Sequence, residues 1–130
     1  MGVKGFFRLF FLVIGAYDVL LGGAFVLFYK DIYTRLNIAL PNHPGYIFIP
    51  ALFLTSAGIG EFLIARNLLR NVDLAVVRLL MKLSFALTVF YCYFKYGIPD
   101  IFMLISMASI AGVVINVLFI RWASAENRRV

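Results

Sequence analysis

Four apolar stretches fill most of this 130-residue chain, each close to the roughly 20 residues that a helix needs to cross a ~30 Å hydrocarbon core. They run from about Arg8 to Tyr29, Tyr46 to Ala65, Val77 to Tyr96, and Pro99 to Ile120. In lipid the backbone must satisfy its own hydrogen bonds, and four segments of this length cannot close a barrel, so each is read as a helix. Composition removes the alternatives: with 64% hydrophobic and 14% charged residues, the chain has too little charge to cover a water-facing surface. A soluble enzyme, a secreted disulfide scaffold and a disordered tail are thereby excluded. The expected fold is all-α, a single integral membrane domain over residues 1–130 built as an antiparallel four-transmembrane-helix bundle. Pro50 and Pro99 fit this division, each near the start of a segment, where a missing N–H costs little.

The first segment resembles an export signal only in outline. Lys4 and Arg8 precede an apolar run and Gly22-Gly23-Ala24 offers small residues, but no polar region precedes that site and Asp18 interrupts the run, so a retained helix is expected. Gly2 does not make a myristoylation signal, because Phe6 stands where serine or threonine is required.

Four spans put both termini on one side. That side collects Lys4, Arg8, Arg66, Arg70, Arg78, Lys82, Arg121, Arg128 and Arg129, against Lys30, Arg35 and Lys95 opposite, nine to three. The bias predicts both termini in the cytoplasm. The net charge of +6 is then a topology signal with an attraction to anionic lipid, and nucleic acid is not an expected partner. Tyr29, Tyr33, Tyr46, Tyr93 and Tyr96 gather at the outer ends and Trp122 at the inner end of the last span, as interfacial belts require. In the first outer loop, Ile32, Leu36 and Leu40 fall at i, i+4 and i+8. This spacing predicts a short interfacial helix over Asp31–Leu40, stopped by Pro41-Asn42-His43-Pro44-Gly45.

Polar residues inside the spans sort into two layers. Counting ~1.5 Å per residue inward from the arginine at each inner end, Glu61, Lys82 and Asn116 share an inner-half level ~6 to 7 Å deep. Asp18, Thr55, Ser56, Thr88, Ser106 and Ser109 lie nearer the bilayer middle. A charge at a helix centre costs ~2.5 to 3.5 kcal/mol on insertion scales, so these groups are expected to face inward. Lys82 snorkels toward the inner surface, which predicts a Glu61–Lys82 ion pair with Asn116 as a hydrogen-bonding neighbour. The pair either fixes helix register or handles an ion or substrate. Asp18, with Thr55, Thr88 and Ser109 around its level, is the candidate proton or ligand site. Gly15, Asp18 and Gly22 at i, i+3 and i+7 form a small-residue face for close helix approach.

Cys92 and His43 are the single residues of their types, which excludes an internal disulfide and a Cys/His metal cage, so no metal and no cofactor is expected. Gly58-Ile59-Gly60 lacks the third glycine and the preceding strand of a dinucleotide fingerprint.

The glycine-containing first helix ending in Leu21-Gly22-Gly23, and the run Ala57-Gly58-Ile59-Gly60-Glu61-Phe62-Leu63-Ile64-Ala65-Arg66 leading into a basic turn, resemble the small four-helix membrane proteins of the DoxX-like group. The resemblance covers most of the chain as architecture and about a dozen residues as motif. It implies an auxiliary membrane subunit linked to quinone oxidoreductases and carries over one site residue, Glu61. The leading expectation is therefore a non-catalytic accessory or assembly subunit that packs against other transmembrane subunits or its own copies, in contact with membrane lipid. The first alternative is a small proton-coupled transporter using Asp18, a layout that resembles small multidrug transporters, although their dual orientation needs a weaker charge bias. The second is an intramembrane site for a quinone or other lipid. The topology is tested with accessibility tags: both ends are expected to react only from the cytoplasmic side, and ends in opposite compartments would overturn the four-span reading.

Overall fold

The computed structural model describes residues Met1–Val130. Four helices follow in order: α1 (Val3–Arg35), α2 (Gly45–Arg66), α3 (Val72–Tyr96) and α4 (Asp100–Arg129). All four are long and apolar enough to cross a membrane. The chain divides into two compact units, Met1–Arg66 and Asn67–Val130, each an antiparallel helical hairpin. Every expected apolar stretch lies in one of these helices, with Pro99 just ahead of α4 as its N-cap residue. The helices run beyond the apolar stretches because polar residues such as Asp73, Arg128 and Arg129 continue the same backbone ladder where water is available.

The first hairpin is held by one stripe on each helix. On α1 the buried residues are Phe7, Phe11, Gly15, Asp18 and Gly22, at spacings of three and four. On α2 they are Ile47, Ala51, Ala57, Gly58, Glu61, Ile64 and Ala65. Glycine at the crossing brings backbone against backbone. A Cβ on Gly15 would lie 2.9 Å from the Gly58 carbonyl oxygen, and one on Gly58 would lie 2.7 Å from that of Gly15. One on Gly22 would lie 2.5 Å from the Ala51 carbonyl oxygen and overlap the Thr55 hydroxyl. At the open end Arg8 Nε donates to the Ala65 carbonyl at 3.2 Å, satisfying a carbonyl in the last turn of α2 with a cation where the helix dipole favours one.

At its turn end the first hairpin departs from expectation. No separate helix forms over Asp31–Leu40: α1 continues to Arg35 through a kink at Phe28, whose φ of −126° and ψ of 22° are non-helical. The helix ends at Leu36, whose N–H bonds Ile32 O at 3.1 Å, and Asn37 follows with a φ of 53°. Asparagine tolerates that left-handed geometry, which turns the chain away before Leu40. Leu40 itself precedes Pro41, and a residue before proline is driven toward extended backbone. The apolar spacing was real but the stop came earlier than Pro41. Pro50 is the sixth residue of α2, so it removes one ladder bond just beyond the first turn, beside the exposed Tyr46.

The second hairpin turns tightly. Gly97 caps α3 with a φ of 70°, a conformation that glycine enters without the Cβ penalty, and Pro99 then precedes α4 as its N-cap. Its buried stripes are Ala75, Arg78, Lys82, Ala86 and Val89 on α3 and Ser106, Gly112, Asn116, Phe119 and Ala123 on α4. Leu68, ahead of α3, is also buried. Asn127 Nδ2 donates to the Leu69 carbonyl at 3.1 Å, which ties the last turn of α4 to the segment before α3.

Two of the three atoms nearest a Cβ on Gly58, the Gly15 carbonyl oxygen and the Val19 nitrogen, are backbone and the third is Val19 Cγ2, so rotating the valine alone cannot absorb a methyl there. Gly58→Ala is expected to destabilise the protein by about 1 to 3 kcal/mol, as overpacking does. Gly23→Ala, where a Cβ meets nothing within 4 Å, is expected to melt at or slightly above the parent temperature. Thermal unfolding in one detergent compares the two, and equal melting temperatures would refute the backbone contact.

Candidate functional site

Ionisable side chains inside long apolar helices mark the place to look, since hydrocarbon tolerates them only when they face protein. The structure buries four: Asp18 at 5% exposure, Glu61 at 0%, Arg78 at 4% and Lys82 at 8%. Two are acids and two are bases, and the hairpins divide them by sign. Asp18 on α1 and Glu61 on α2 belong to the first unit, and Arg78 and Lys82, both on α3, to the second.

In the first hairpin Asp18 lies on the glycine seam, one turn from Gly15 and one from Gly22. The expected small-residue face is therefore buried as a whole. On both sides of Asp18, at Gly15 and Gly22, α1 approaches the backbone of α2 closely. Thr55 sits against this seam, but its hydroxyl donates to the Ala51 carbonyl at 3.0 Å, one turn back in its own helix. Ser56 is exposed.

In the second hairpin Lys82 lays its aliphatic stem across Gly112. A Cβ there would stand 3.6 Å from Lys82 Cε and 3.7 Å from Cδ, an ordinary contact, so the glycine gives the lysine stem room without forcing backbones together. Asn116 is one turn beyond Gly112 on the buried face of α4. Lys82 and Asn116 thus belong to facing stripes of one hairpin, and Glu61, grouped with them by depth in the sequence, belongs to the other unit. No hydrogen-bonding group of the protein reaches either amide atom of Asn116. Ser106 Oγ donates to the Ala86 carbonyl at 3.4 Å, and Ser109 Oγ to the Ile105 carbonyl at 3.1 Å. Thr88 is exposed.

Arg78 is a buried residue that sequence reasoning did not include among the inward-facing groups. It counted as a marker of the inner surface, yet α3 starts six residues before it and buries it, with Nη1 3.5 Å from Met81 Sδ. The signal was present in the spacing: Ala75, Arg78, Lys82 and Ala86 repeat at three and four, so Arg78 shares the face of Lys82. Setting Arg78 and Lys82 aside, the other seven basic residues assigned to the inner side are all exposed, as are the three opposite. The charge bias keeps its sign. His43, on which no role was placed, accepts the Gly45 N–H through Nδ1 at 3.0 Å and so organises the start of α2. Cys92 is half-buried.

No family model, curated protein or solved structure matches this chain.

A buried amide with no protein partner contributes desolvation cost without a compensating bond, so its replacement by an apolar isostere is near neutral or favourable. Asn116→Leu is expected to leave the melting temperature unchanged or raise it. A loss equivalent to about 1 to 3 kcal/mol would show instead that the amide is hydrogen-bonded in the membrane.

Proposed function

We propose that this chain is an integral membrane protein with both termini in the cytoplasm, acting as a small non-catalytic accessory or assembly subunit of a larger membrane complex. The resemblance to the DoxX-like group points the proposal toward a quinone-linked assembly. The observation that carries it is where the mid-helix hydroxyls direct their donors. Thr55 and Ser109 bond carbonyls of their own helices and Ser106 bonds the facing helix, while Thr88 lies on the exterior. A binding site needs convergent polar groups aimed at a ligand; three of these hydroxyls are spent on the fold and the fourth faces outward. The exterior is broadly apolar, with Leu20, Leu52, Phe53, Leu87 and Leu104 all more than half exposed. In a membrane such a surface meets acyl chains or the helices of another subunit.

The kink at Phe28 fits the same placement. Straight, the 33 residues of α1 would extend ~50 Å at 1.5 Å per residue, well beyond the ~30 Å core. We place the segment after the kink, with Tyr29, Lys30, Asp31, Tyr33 and Arg35, in the outer interface. Tyr29 stacks edge-on against Phe48 at 5.4 Å between ring centroids, which holds that segment to the start of α2.

Burial of Asp18 favours one other reading, a proton-coupled transporter in which this carboxyl exchanges its proton for a substrate. The closed seam around it counts against exchange between α1 and α2. Two experiments separate the readings. Extraction in a gentle detergent followed by native mass spectrometry is expected to show a stoichiometric companion subunit, and a chain recovered only alone or with copies of itself would overturn the accessory role. In proteoliposomes Asp18→Asn is expected to leave proton flux at the parent level; substrate-driven flux that this variant abolishes would establish the transporter.

A further inference from the structure

We infer that the C-terminal end of α4 is a binding surface for anionic phospholipid, with Arg121 as the headgroup ligand and Arg128 supporting it. The argument starts from helix length. At the turn end of the second hairpin the polar boundary is marked by Tyr93, whose hydroxyl donates to Asp100 at 3.0 Å, and by Lys95, which donates to the Tyr91 hydroxyl at 2.8 Å. From Asp100, a rise of ~30 Å, one hydrocarbon thickness, is reached at Ile120. Arg121 therefore stands at the level of the lipid phosphates of the far leaflet. Arg128 lies ~10 Å further along the helix, at the outer limit of the headgroups.

The same face of α4 supplies the apolar half of the site. Val114, Leu118, Arg121, Ala125 and Arg128 follow at spacings of four, three, four and three and are all exposed, so they form one straight stripe. Below Arg121 this stripe is hydrocarbon-facing, with Val114 55% and Leu118 54% exposed. Above it the stripe is cationic. A phospholipid has that arrangement in reverse register: acyl chain against Val114 and Leu118, and phosphate against the guanidinium, which offers paired donors to phosphate oxygens.

Local charge does not cancel the surface. Glu126 carries the one acidic side chain in the stretch from Arg121 to Val130, and it lies 3.8 Å from Arg129 Nη1. Arg128 Nε donates to the Ser124 carbonyl at 3.3 Å, a bond that orients its guanidinium and leaves its charge in place. The stretch is also held: the Asn127–Leu69 hydrogen bond fastens its end, and Phe119 and Ala123 are fully buried on the opposite side. The arginines are thus presented on a fixed helix. This surface is independent of the accessory-subunit reading, since it requires only a bilayer.

Trp122, the single tryptophan of the chain, adjoins Arg121 and reports on the site directly. The full-length protein is reconstituted in phosphatidylcholine vesicles in which a minor lipid, either phosphatidylglycerol or phosphatidylcholine, carries brominated acyl chains that quench indole fluorescence. Brominated phosphatidylglycerol is expected to quench Trp122 more strongly. The fitted preference is expected to be about fivefold for each arginine engaged, the equivalent of ~1 kcal/mol per basic residue at an anionic surface. The preference should fall to unity in Arg121→Gln/Arg128→Gln and weaken with added salt. It should persist in Lys95→Gln, which alters the opposite end of the hairpin. Equal quenching by the two brominated lipids, a preference intact in the double arginine variant, or one abolished by Lys95→Gln would each overturn the proposal.

Discussion

The free-energy cost of an unsatisfied charge in hydrocarbon sets the terms for this chain. Each helix closes its own backbone ladder, so the remaining liabilities are side chains. Four ionisable groups sit well inside the helices, and all four are buried. Each lies on the same stripe as small residues: Asp18 between Gly15 and Gly22, Glu61 beside Gly58 and Ala57, Arg78 and Lys82 among Ala75 and Ala86. This coincidence has a physical basis. Small side chains let neighbouring backbones approach, and close approach removes acyl chains from the surroundings of the charge. The first unit buries two acids and the second two bases.

The two hairpins reach that result by different packing. In the first, carbonyl oxygens of α1 and α2 stand where a Cβ would be, so the contact is between main chains and has little freedom to adjust. In the second, Gly112 faces the methylenes of Lys82 at ordinary contact distance, and the space released by the glycine is taken by a flexible cationic stem. A residue added to the first seam must separate two helices, whereas one added at Gly112 need only displace a side chain. The first hairpin therefore has the character of a fixed scaffold and the second that of an adaptable one.

Most of the architecture was legible because membrane insertion is itself a test of sequence averages. A run of about 20 apolar residues is sufficient to specify a spanning helix, and neither sheet pairing nor long-range packing is needed to infer it. Helix ends were less legible because hydropathy marks where hydrocarbon stops, while a helix stops where its ladder is capped. Arg128 and Arg129 are past the first limit and inside the second. The kink at Phe28 had no proline at that position to announce it. The outer-loop helix failed for a related reason: periodicity can show which face a segment would bury, but Asn37 entering the left-handed region determined where it ended. For the site, burial of Asp18, Glu61, Lys82 and Asn116 followed from charge and depth alone. The directions of the hydroxyls did not, since depth cannot distinguish a serine aimed across the bundle from one bonded to the carbonyl four residues back. The burial of Arg78 was not read from its position near an apolar boundary; the face it shares with Lys82 carried that signal.

These assignments shift attention from the interior to the surface. A transport or catalytic site requires polar groups whose bonding capacity is still available to a substrate, and here the threonine and serines nearest the middle either donate to main-chain carbonyls or face outward. Asp18 lies between Gly15 and Gly22, and both glycines approach α2 closely, so moving an ion past it between α1 and α2 would require those backbone contacts to part. The exterior imposes no such condition. Each helix exposes large apolar side chains, so recognition by lipid or by another membrane subunit needs no rearrangement of the core. A protein whose inward-facing hydroxyls at Thr55, Ser106 and Ser109 are committed to its own main chain and whose surface is broadly apolar is suited to being bound by its surroundings, which is the physical content of the accessory role proposed for it.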